Sequence, residues 1–242
     1  MKKIIVSTIL SGLFVICGNT GFTKEVATLE KLPQSSYSKL CFQGKCALYD
    51  NFDNEIVTDL QYDDIVYITD TPYLKVKVNG KWALYYLYTD QELTLPIYDD
   101  IADLKINGHK YIGVKQHSKW AIFYTSTNQV VTGFIYDDFK PVETGGWNDC
   151  IYKVRSFDKY GFIKFNFFNI DKTDFEFVPA IYDDAEKLNT SNYKVKEQGK
   201  WAIYDTTKKK TASLFNYDDI KYNGTEFFGL ENGEWNIIPL EK

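Results

Sequence analysis

The sequence predicts an all-β fold built from repeated β-hairpins. The first observation is the tripeptide Tyr-Asp-Asp, which occurs five times, beginning at Tyr62, Tyr98, Tyr136, Tyr182 and Tyr217. The second is a Lys-aromatic-small motif before the last four copies, with Lys45-Cys46-Ala47 at the same place before the first. The central residue of the motif lies 16 residues before the Tyr in four of the five copies. The third is an aromatic content of 17%, which favours strands over helices. No segment has the 3.6-residue period of an amphipathic helix.

The motif positions define the repeat. Its central residues are Cys46, Trp82, Trp120, Tyr160, Trp201 and Trp235. These positions are 34 to 41 residues apart, and in the fourth unit the Tyr follows after 22 residues, which indicates a six-residue insertion. The chain therefore contains five full repeats and one partial repeat. Such units must stack on one another to bury their apolar faces.

The second unit shows how each repeat is predicted to fold. Tyr73–Val78 alternates apolar and polar residues, Asn79-Gly80 is a favoured two-residue turn, and Lys81–Tyr86 is the returning strand. We expect a third strand over residues 93–98 and a short fourth strand over residues 101–106. The other units place Gln43-Gly44, His117-Ser118, Phe157-Asp158, Gln198-Gly199 and Asn232-Gly233 at the turn.

A two-residue turn fixes which side chains face each other across the hairpin. It places Lys77 opposite Trp82, and the corresponding pairs are Lys115–Trp120, Arg155–Tyr160 and Lys196–Trp201. Two interpretations stay open for these pairs. Either the ammonium groups lie over the rings as cation–π pairs, or the lysine stems simply cover the ring faces.

In the first unit the same two positions hold Cys41 and Cys46. They form a non-hydrogen-bonded pair with an expected Cα separation of about 4.5 Å, which suits a disulfide. The sequence therefore predicts a Cys41–Cys46 disulfide that contributes roughly 2 kcal/mol. A zinc site is the weaker interpretation, because no second Cys or His pair accompanies them. Cys150 is left as a free cysteine.

The N-terminal residues are predicted to be a signal peptide. Lys2 and Lys3 precede an apolar run from Ile4 to Cys17, which is too short for a spanning helix. We assign residues 1–21 to the signal peptide and expect export to the periplasm, the cell surface or the medium. Cys17 is a candidate for lipid modification, which would be the chain's one contact with a membrane. The alternative is cleavage at a small residue such as Gly18.

The repeat resembles the bacterial WG-repeat family. In the second unit the resemblance is carried by Val76, Gly80–Trp82, Leu84 and residues 98–100, and the pattern covers about residues 37–240. Ala83 stands where that family usually has Gly, whereas the fourth unit keeps the Gly as Gly161 but replaces the Trp. The resemblance implies a repeat scaffold and supplies no catalytic residues.

The domain division is a signal peptide, an extension over residues 22–36 and a repeat domain over residues 37–242. Residues 29–32 resemble residues 185–188, so the extension is a candidate outer strand for the last, partial unit. That pairing would close a propeller-like ring. An open curved array with partial units at both ends is the favoured alternative, because a step of about 36 residues is short for a four-stranded blade.

Departures from the repeat are the candidate binding sites. Trp147 and Asn148 lie in extra sequence before the fourth unit, and Phe167 and Phe168 lie in its insertion. Aromatic residues on irregular loops suit contact with a protein or with sugar rings, although they also suit a local core. The acidic pairs are interpreted as turn-forming residues, with calcium binding as the alternative.

Composition excludes some functions and leaves others open. A formal charge of −5 with a single arginine, Arg155, argues against nucleic-acid binding. We expect no catalytic residues, no metal and no cofactor. The leading hypothesis is an exported scaffold that binds another envelope or extracellular protein. The alternative is a carbohydrate- or cell-wall-binding module, and a glycan-acting hydrolase is a third, weaker hypothesis.

Overall fold

A computed structural model of the chain describes residues 6–7, 13–16, 26–104, 111–143, 149–166 and 176–240. Within these residues the regular structure consists of β-strands in six antiparallel sheets. No helix in these ranges is long and apolar enough to cross a membrane. The predicted all-β repeat fold is confirmed.

Each sheet is a meander whose strands follow the order of the chain. The first sheet contains β1 (Val6–Ser7), β2 (Leu13–Ile16), β3 (Val26–Lys31), β4 (Tyr37–Phe42), β5 (Lys45–Asp50) and β6 (Glu55–Ile56). The second contains β7 (Asp64–Tyr67), β8 (Tyr73–Val78), β9 (Lys81–Tyr86) and β10 (Gln91–Glu92). The third contains β11 (Asp100–Asp103), β12 (Tyr111–Gln116), β13 (Lys119–Tyr124) and β14 (Gln129–Val130).

The remaining sheets include the longest strands. The fourth contains β15 (Asp138–Glu143), β16 (Asp149–Ser156), β17 (Lys159–Asn166) and β18 (Glu176–Tyr182). The fifth contains β19 (Asp184–Lys187), β20 (Asn192–Glu197), β21 (Lys200–Asp205) and β22 (Lys210–Thr211). The sixth contains β23 (Asp219–Tyr222), β24 (Phe227–Glu231) and β25 (Glu234–Ile237).

The chain divides into two compact units. The first comprises residues 1–104, 109–118 and 122–130, and the second comprises residues 105–108, 119–121 and 131–242. In the first unit a core joins the first two sheets and includes Leu48, Tyr62, Leu74, Val76 and Tyr85. Both sheets contribute apolar side chains to this core, as expected for repeats that stack.

Two cores of the same kind lie among the described residues of the second unit. One joins the fourth and fifth sheets and includes Phe162, Val178, Tyr193, Val195 and Tyr204. The other joins the fifth and sixth sheets and includes Trp201, Ile203, Ile220, Phe227 and Ile238. The fifth sheet therefore buries apolar side chains on both of its faces.

The predicted hairpin turns are confirmed. In each of the six, both turn residues have the positive φ of a type I′ turn. Four turns place glycine at the second position, namely Gly44, Gly80, Gly199 and Gly233. The other two place Ser118 and Asp158 there, at φ 65° and 61°. A side chain at such an angle costs about 1 kcal/mol relative to glycine.

Replacing Asp158 with glycine is therefore expected to stabilise the protein by about 1 kcal/mol. The loss of the contact with Arg155, at 3.6 Å and with Asp158 exposed, contributes little. Urea unfolding monitored by fluorescence measures the change. The matched control is Gly199→Asp, which is expected to lose a similar amount, since nothing lies within 4 Å of the added Cβ. An unchanged or lower stability for Asp158→Gly contradicts the prediction.

The predicted disulfide is confirmed. Cys41 and Cys46 are cross-strand partners on β4 and β5, with an S–S bond and a Cα separation of 4.0 Å. The disulfide occupies the place that a lysine and a tryptophan take in the second and fifth sheets and that Arg155 and Tyr160 take in the fourth. Cys41→Ser combined with Cys46→Ser is expected to cost about 2 kcal/mol. Thermal unfolding with and without a reductant tests this, because reductant must lower the midpoint of the wild type and leave the double variant unchanged.

The N-terminal extension does not have the predicted partner. Residues 29–32 were a candidate strand beside the last unit, but β3 pairs with β4, for example Leu29 with Leu40. The similarity to residues 185–188 is nevertheless meaningful, because β19 holds the corresponding place beside β20. The adjacent hairpin is the partner that costs the least loop-closure entropy. The predicted signal peptide contributes only β1 and β2 to the described residues.

The boundary between repeats also differs from the prediction. Residues 93–98 were expected to form the third strand, but the third strand of this sheet is β10, at Gln91–Glu92. Residues 93–98 form a bent connection with a single bridge, between Trp82 and Tyr98. The strand after the Asp pair is β11, which begins the following sheet. Each Tyr-Asp-Asp tripeptide therefore joins one sheet to the next.

Candidate functional site

The first aspartate of each Tyr-Asp-Asp tripeptide links two consecutive hairpins. Its carboxylate forms an ion pair with the lysine that begins the second strand of the preceding hairpin. These pairs are Lys45–Asp63, Lys81–Asp99, Lys119–Asp137, Lys159–Asp183 and Lys200–Asp218. Its backbone N–H donates to a carbonyl of the following hairpin, as from Asp63 to Lys77 at 2.7 Å.

The other carboxylate oxygen often reaches the turn of the following hairpin. Backbone N–H groups donate to it from Gly80 to Asp63 at 3.3 Å, from Phe157 to Asp137 at 2.9 Å and from Gln198 to Asp183 at 2.7 Å. One side chain thus fixes a lysine of one hairpin and the turn of the next. The lysine contact recurs in all five copies, which is typical of a structural role.

The second aspartate pairs with a different lysine. The four pairs are Lys39–Asp64, Lys75–Asp100, Lys153–Asp184 and Lys194–Asp219, with N–O distances of 2.6 to 3.0 Å. Three of these lysines, Lys75, Lys153 and Lys194, also lie over the motif rings, with Lys75 Nζ 4.8 Å from the centroid of Trp82. The predicted partner Lys77 lies 5.1 Å from that ring. The cation–π interpretation is therefore correct for Lys77, and the second lysine was missed.

These contacts favour the structural interpretation of the acidic pairs over calcium binding. Calcium takes six to eight oxygen ligands. Here the carboxylate oxygens accept hydrogen bonds from ammonium groups and backbone N–H groups instead. Among the residues that the structure describes, no three His, Cys, Asp or Glu side chains are grouped so that they could hold a metal ion.

Acid is expected to destabilise the protein through the first aspartates. In four copies the first aspartate accepts a hydrogen bond from its paired lysine, and this bond is the largest cause that lowers the pKa of the carboxyl group. This holds for Asp63, Asp99, Asp137 and Asp183. Their contribution is present above the unfolded-state pKa of about 4 and is lost as the pH falls through the lower folded-state values. Urea unfolding at a series of pH values tests this. Asp183→Asn should give a shallower pH dependence than the wild type, and equal slopes contradict the assignment.

The sequence-predicted binding residues have different outcomes. Trp147, Asn148, Phe167, Phe168 and the lipidation candidate Cys17 lie outside the described residues, so those predictions stand as they were. The insertion is described in part at its edges. Phe165 is fully buried and packs edge-to-face against Tyr152, with 5.7 Å between ring centroids. Phe177 packs in the same way against Tyr193 at 5.2 Å. These two rings fill a local core.

Exposed apolar side chains recur on the connections between sheets. Ile97, Ile135 and Ile181 are exposed, and each directly precedes the tyrosine of a Tyr-Asp-Asp tripeptide. Leu95 and Leu214, each three residues before such a tyrosine, are both 73% exposed. Ile135, Ile181 and Leu214 belong to the second compact unit, and we call these three side chains the apolar row. Tyr136 and Tyr182, which directly follow two of them, are buried.

A pocket lined by tyrosines was not predicted. It has a volume of about 640 Å³ and lies between the β3–β4 loop, the β7–β8 loop and the residues after β9. Its lining includes Gln34, Ser36, Tyr37, Tyr67, Asp70 and Tyr88. We call it the tyrosine pocket. Its residues come from three separate segments, and the one available signal was the occurrence of tyrosine at positions that vary between repeats.

Comparison with known proteins gives little. No family model matches the chain, and no curated protein matches it. Solved structures match over most of its length with weak similarity. One, a crystal structure of the eukaryotic initiation factor, shares 9% identity at a TM-score of 0.39 and is matched over 94% of this chain and 68% of its own. Kluyveromyces lactis Hsv2p shares 12% identity at a TM-score of 0.33 and is matched over 84% of this chain and 71% of its own. The Dos1 propeller shares 14% identity at a TM-score of 0.30 and is matched over 84% of this chain and 64% of its own. No inference about this chain rests on these matches, and the WG-repeat resemblance stays a prediction.

Proposed function

We propose that this chain is an exported, non-enzymatic β-repeat scaffold that binds another protein at the cell envelope through the apolar row. The observation that carries the proposal is the row itself. Large apolar side chains one or three residues before the tyrosines of successive repeats are exposed, whereas Tyr136 and Tyr182 are buried. Apolar surface that is exposed in a regular pattern favours a protein partner.

The strand composition of the first sheet supports the proposed export. Strands β3 to β6 alone reproduce the four-strand order of the second to fifth sheets. Removal of residues 1–21 would take away β1 and β2 and leave that four-stranded sheet. Export also suits a disulfide, because the bond persists in oxidising compartments.

A pull-down from the envelope fraction of the producing cell tests the proposal. The bait is the chain from Lys24 onward, compared with a variant carrying Ile135→Ser, Ile181→Ser and Leu214→Ser. These side chains are exposed, so the variant is expected to keep the wild-type thermal midpoint. A protein recovered by the wild type and lost by the variant supports the proposal.

The control is Phe52→Ser, an exposed aromatic residue outside the row. It is expected to recover the same protein as the wild type. A further bait with Trp147→Ala tests the loop that the sequence predicted. Recovery of the same proteins by the wild type and by the triple variant contradicts a role for the apolar row.

A further inference from the structure

The tyrosine pocket has a preorganised frame. Ser35 Oγ donates to the carbonyl of Leu32 and accepts from the N–H of Tyr37. In the equivalent loop, Thr71 Oγ1 donates to the carbonyl of Ile68 at 2.7 Å and accepts from the N–H of Tyr73 at 3.1 Å. Two side-chain hydrogen bonds thus fix the backbone of each loop. The pocket residues of these two loops therefore have defined positions.

Tyr37 and Tyr67 pack against the core of the first two sheets, whereas Tyr88 is the lining tyrosine that this core does not include. Tyr88 is 79% exposed and packs only edge-to-face against Tyr86 among the described ring contacts, with 5.4 Å between centroids. The repeat does not require an aromatic ring at the positions of Tyr67 and Tyr88. In the third sheet the positions of Tyr67 and Tyr88 hold Asp103 and Ser126. In the fifth sheet they hold Lys187 and Thr207.

The chemistry of the lining selects a class of ligand. Phenol rings offer flat apolar faces together with a polar edge. Asp70 supplies a carboxylate acceptor, and Gln34 supplies a carboxamide that donates and accepts. Apolar faces beside a few directional polar groups suit a sugar ring, whose C–H face stacks and whose hydroxyl groups form hydrogen bonds. The volume also lies within the range of small-molecule sites.

The charge around the tyrosine pocket restricts the class of ligand further. The pocket lining contains no lysine or arginine. Burial raises the pKa of Tyr37, and the negative charges of Asp90, Asp50 and Asp53 raise it further. The pKa of Tyr67 is raised by burial and then by Asp70. The field at the pocket is therefore negative, which disfavours an anionic ligand and tolerates a neutral or cationic one.

We infer that the tyrosine pocket binds a glycan whose sugars are neutral or carry an amine. In this arrangement Tyr88 stacks against a sugar ring and Asp70 accepts hydrogen bonds from its hydroxyl or amino groups. The site is distinct from the apolar row and does not depend on the proposed protein partner. The chain would then hold a sugar-binding pocket in addition to the protein-binding surface.

Calorimetric titration of the full chain tests the inference with three oligosaccharides of equal length. These are a neutral glucan, a glucosamine oligomer and a galacturonate oligomer. The first two are expected to bind, and the galacturonate is expected to bind about tenfold more weakly or not at all. Tyr88→Ala is expected to weaken binding about tenfold, and Asp70→Asn is expected to weaken the glucosamine oligomer most.

The matched control is Phe52→Ala. Phe52 is 84% exposed and takes the place of Tyr88 in the first sheet, but it does not line the pocket. It is expected to bind as the wild type does, and thermal midpoints confirm that all variants fold. No binding of the neutral and glucosamine oligomers overturns the inference. Equal binding of galacturonate overturns it too, as do equal losses in Tyr88→Ala and Phe52→Ala.

Discussion

Gly161→Ala is expected to destabilise the protein by about 3 kcal/mol. A Cβ at this position of β17 would lie 2.4 Å from the carbonyl oxygen of Val178 and 2.6 Å from the nitrogen of Ala180. Both are backbone atoms of β18, which cannot turn aside as a flexible side chain can. The methyl group must therefore push β18 away from β17. Urea unfolding measures the loss.

The matched control is Ala202→Gly, at the same repeat position in the fifth sheet. Ala202 is fully buried and its methyl group fits there. The reverse change is expected to cost only about 1 kcal/mol, from backbone entropy and a small cavity. Similar small losses for both variants would contradict the argument, because the clash with β18 is then absent.

The reason for this difference lies in the insertion. In the second, third and fifth sheets the last strand is two residues long and lies farther along its partner. In the fourth sheet β18 is seven residues long and pairs irregularly with β17, with register shifts on either side of Phe162. The sequence shows both the longer step from Tyr160 to Tyr182 and the glycine at Gly161. It does not show that the long strand β18 is what requires the glycine.

Features that depend on near neighbours in the chain could be predicted. A two-residue turn fixes the register of its hairpin, so Cys41 had to face Cys46 and Lys77 had to face Trp82. The same reasoning could not place Lys75, because its contacts with Trp82 and Asp100 involve a diagonal neighbour and the connection to the next sheet. Such contacts depend on how the sheets stack.

The tyrosine pocket shows the same limit for a binding site. Tyr37, Tyr67 and Tyr88 lie in three segments that belong to two sheets, and no spacing rule relates them. The predicted candidates, including Trp147 and Phe167, were chosen because they interrupt the repeat. The pocket instead arises from substitutions within regular repeat positions. Sequence departures can therefore indicate a site only after the repeat has been aligned position by position.

The lysine contacts lead to the second large effect. Lys194 is only 9% exposed, and its ammonium lies 2.6 Å from Asp219 and 3.0 Å from Glu186. It also lies 4.7 Å from the ring centroid of Trp201. Burial alone would lower the pKa of Lys194, but the hydrogen bonds with Asp219 and Glu186 outweigh burial and raise it. The charge is therefore retained in the core.

Lys194→Ala is expected to cost about 2 kcal/mol, mainly through the cavity that it leaves beside Trp201, because Asp219 and Glu186 are about half exposed and water solvates them once the cation is removed. Lys194→Met keeps the stem and removes the charge, so its loss should be smaller. Lys75→Ala is the matched position in the second sheet, where the lysine has one carboxylate partner and is more exposed, and it should also lose less. Urea unfolding of the three variants measures this order.

The pH dependence separates the charge of Lys194 from its packing. Because its pKa is raised in the folded state, its contribution is present below about pH 10 and is lost as the pH rises through the folded-state value. Buried tyrosines also make the protein less stable as the pH rises, because burial raises the pKa of a side chain such as Tyr182, here to about 12. Lys194→Met keeps the contribution of the tyrosines and should lose less stability than the wild type as the pH rises from about 10 to about 12. Parallel curves would assign the effect of Lys194 to its stem alone.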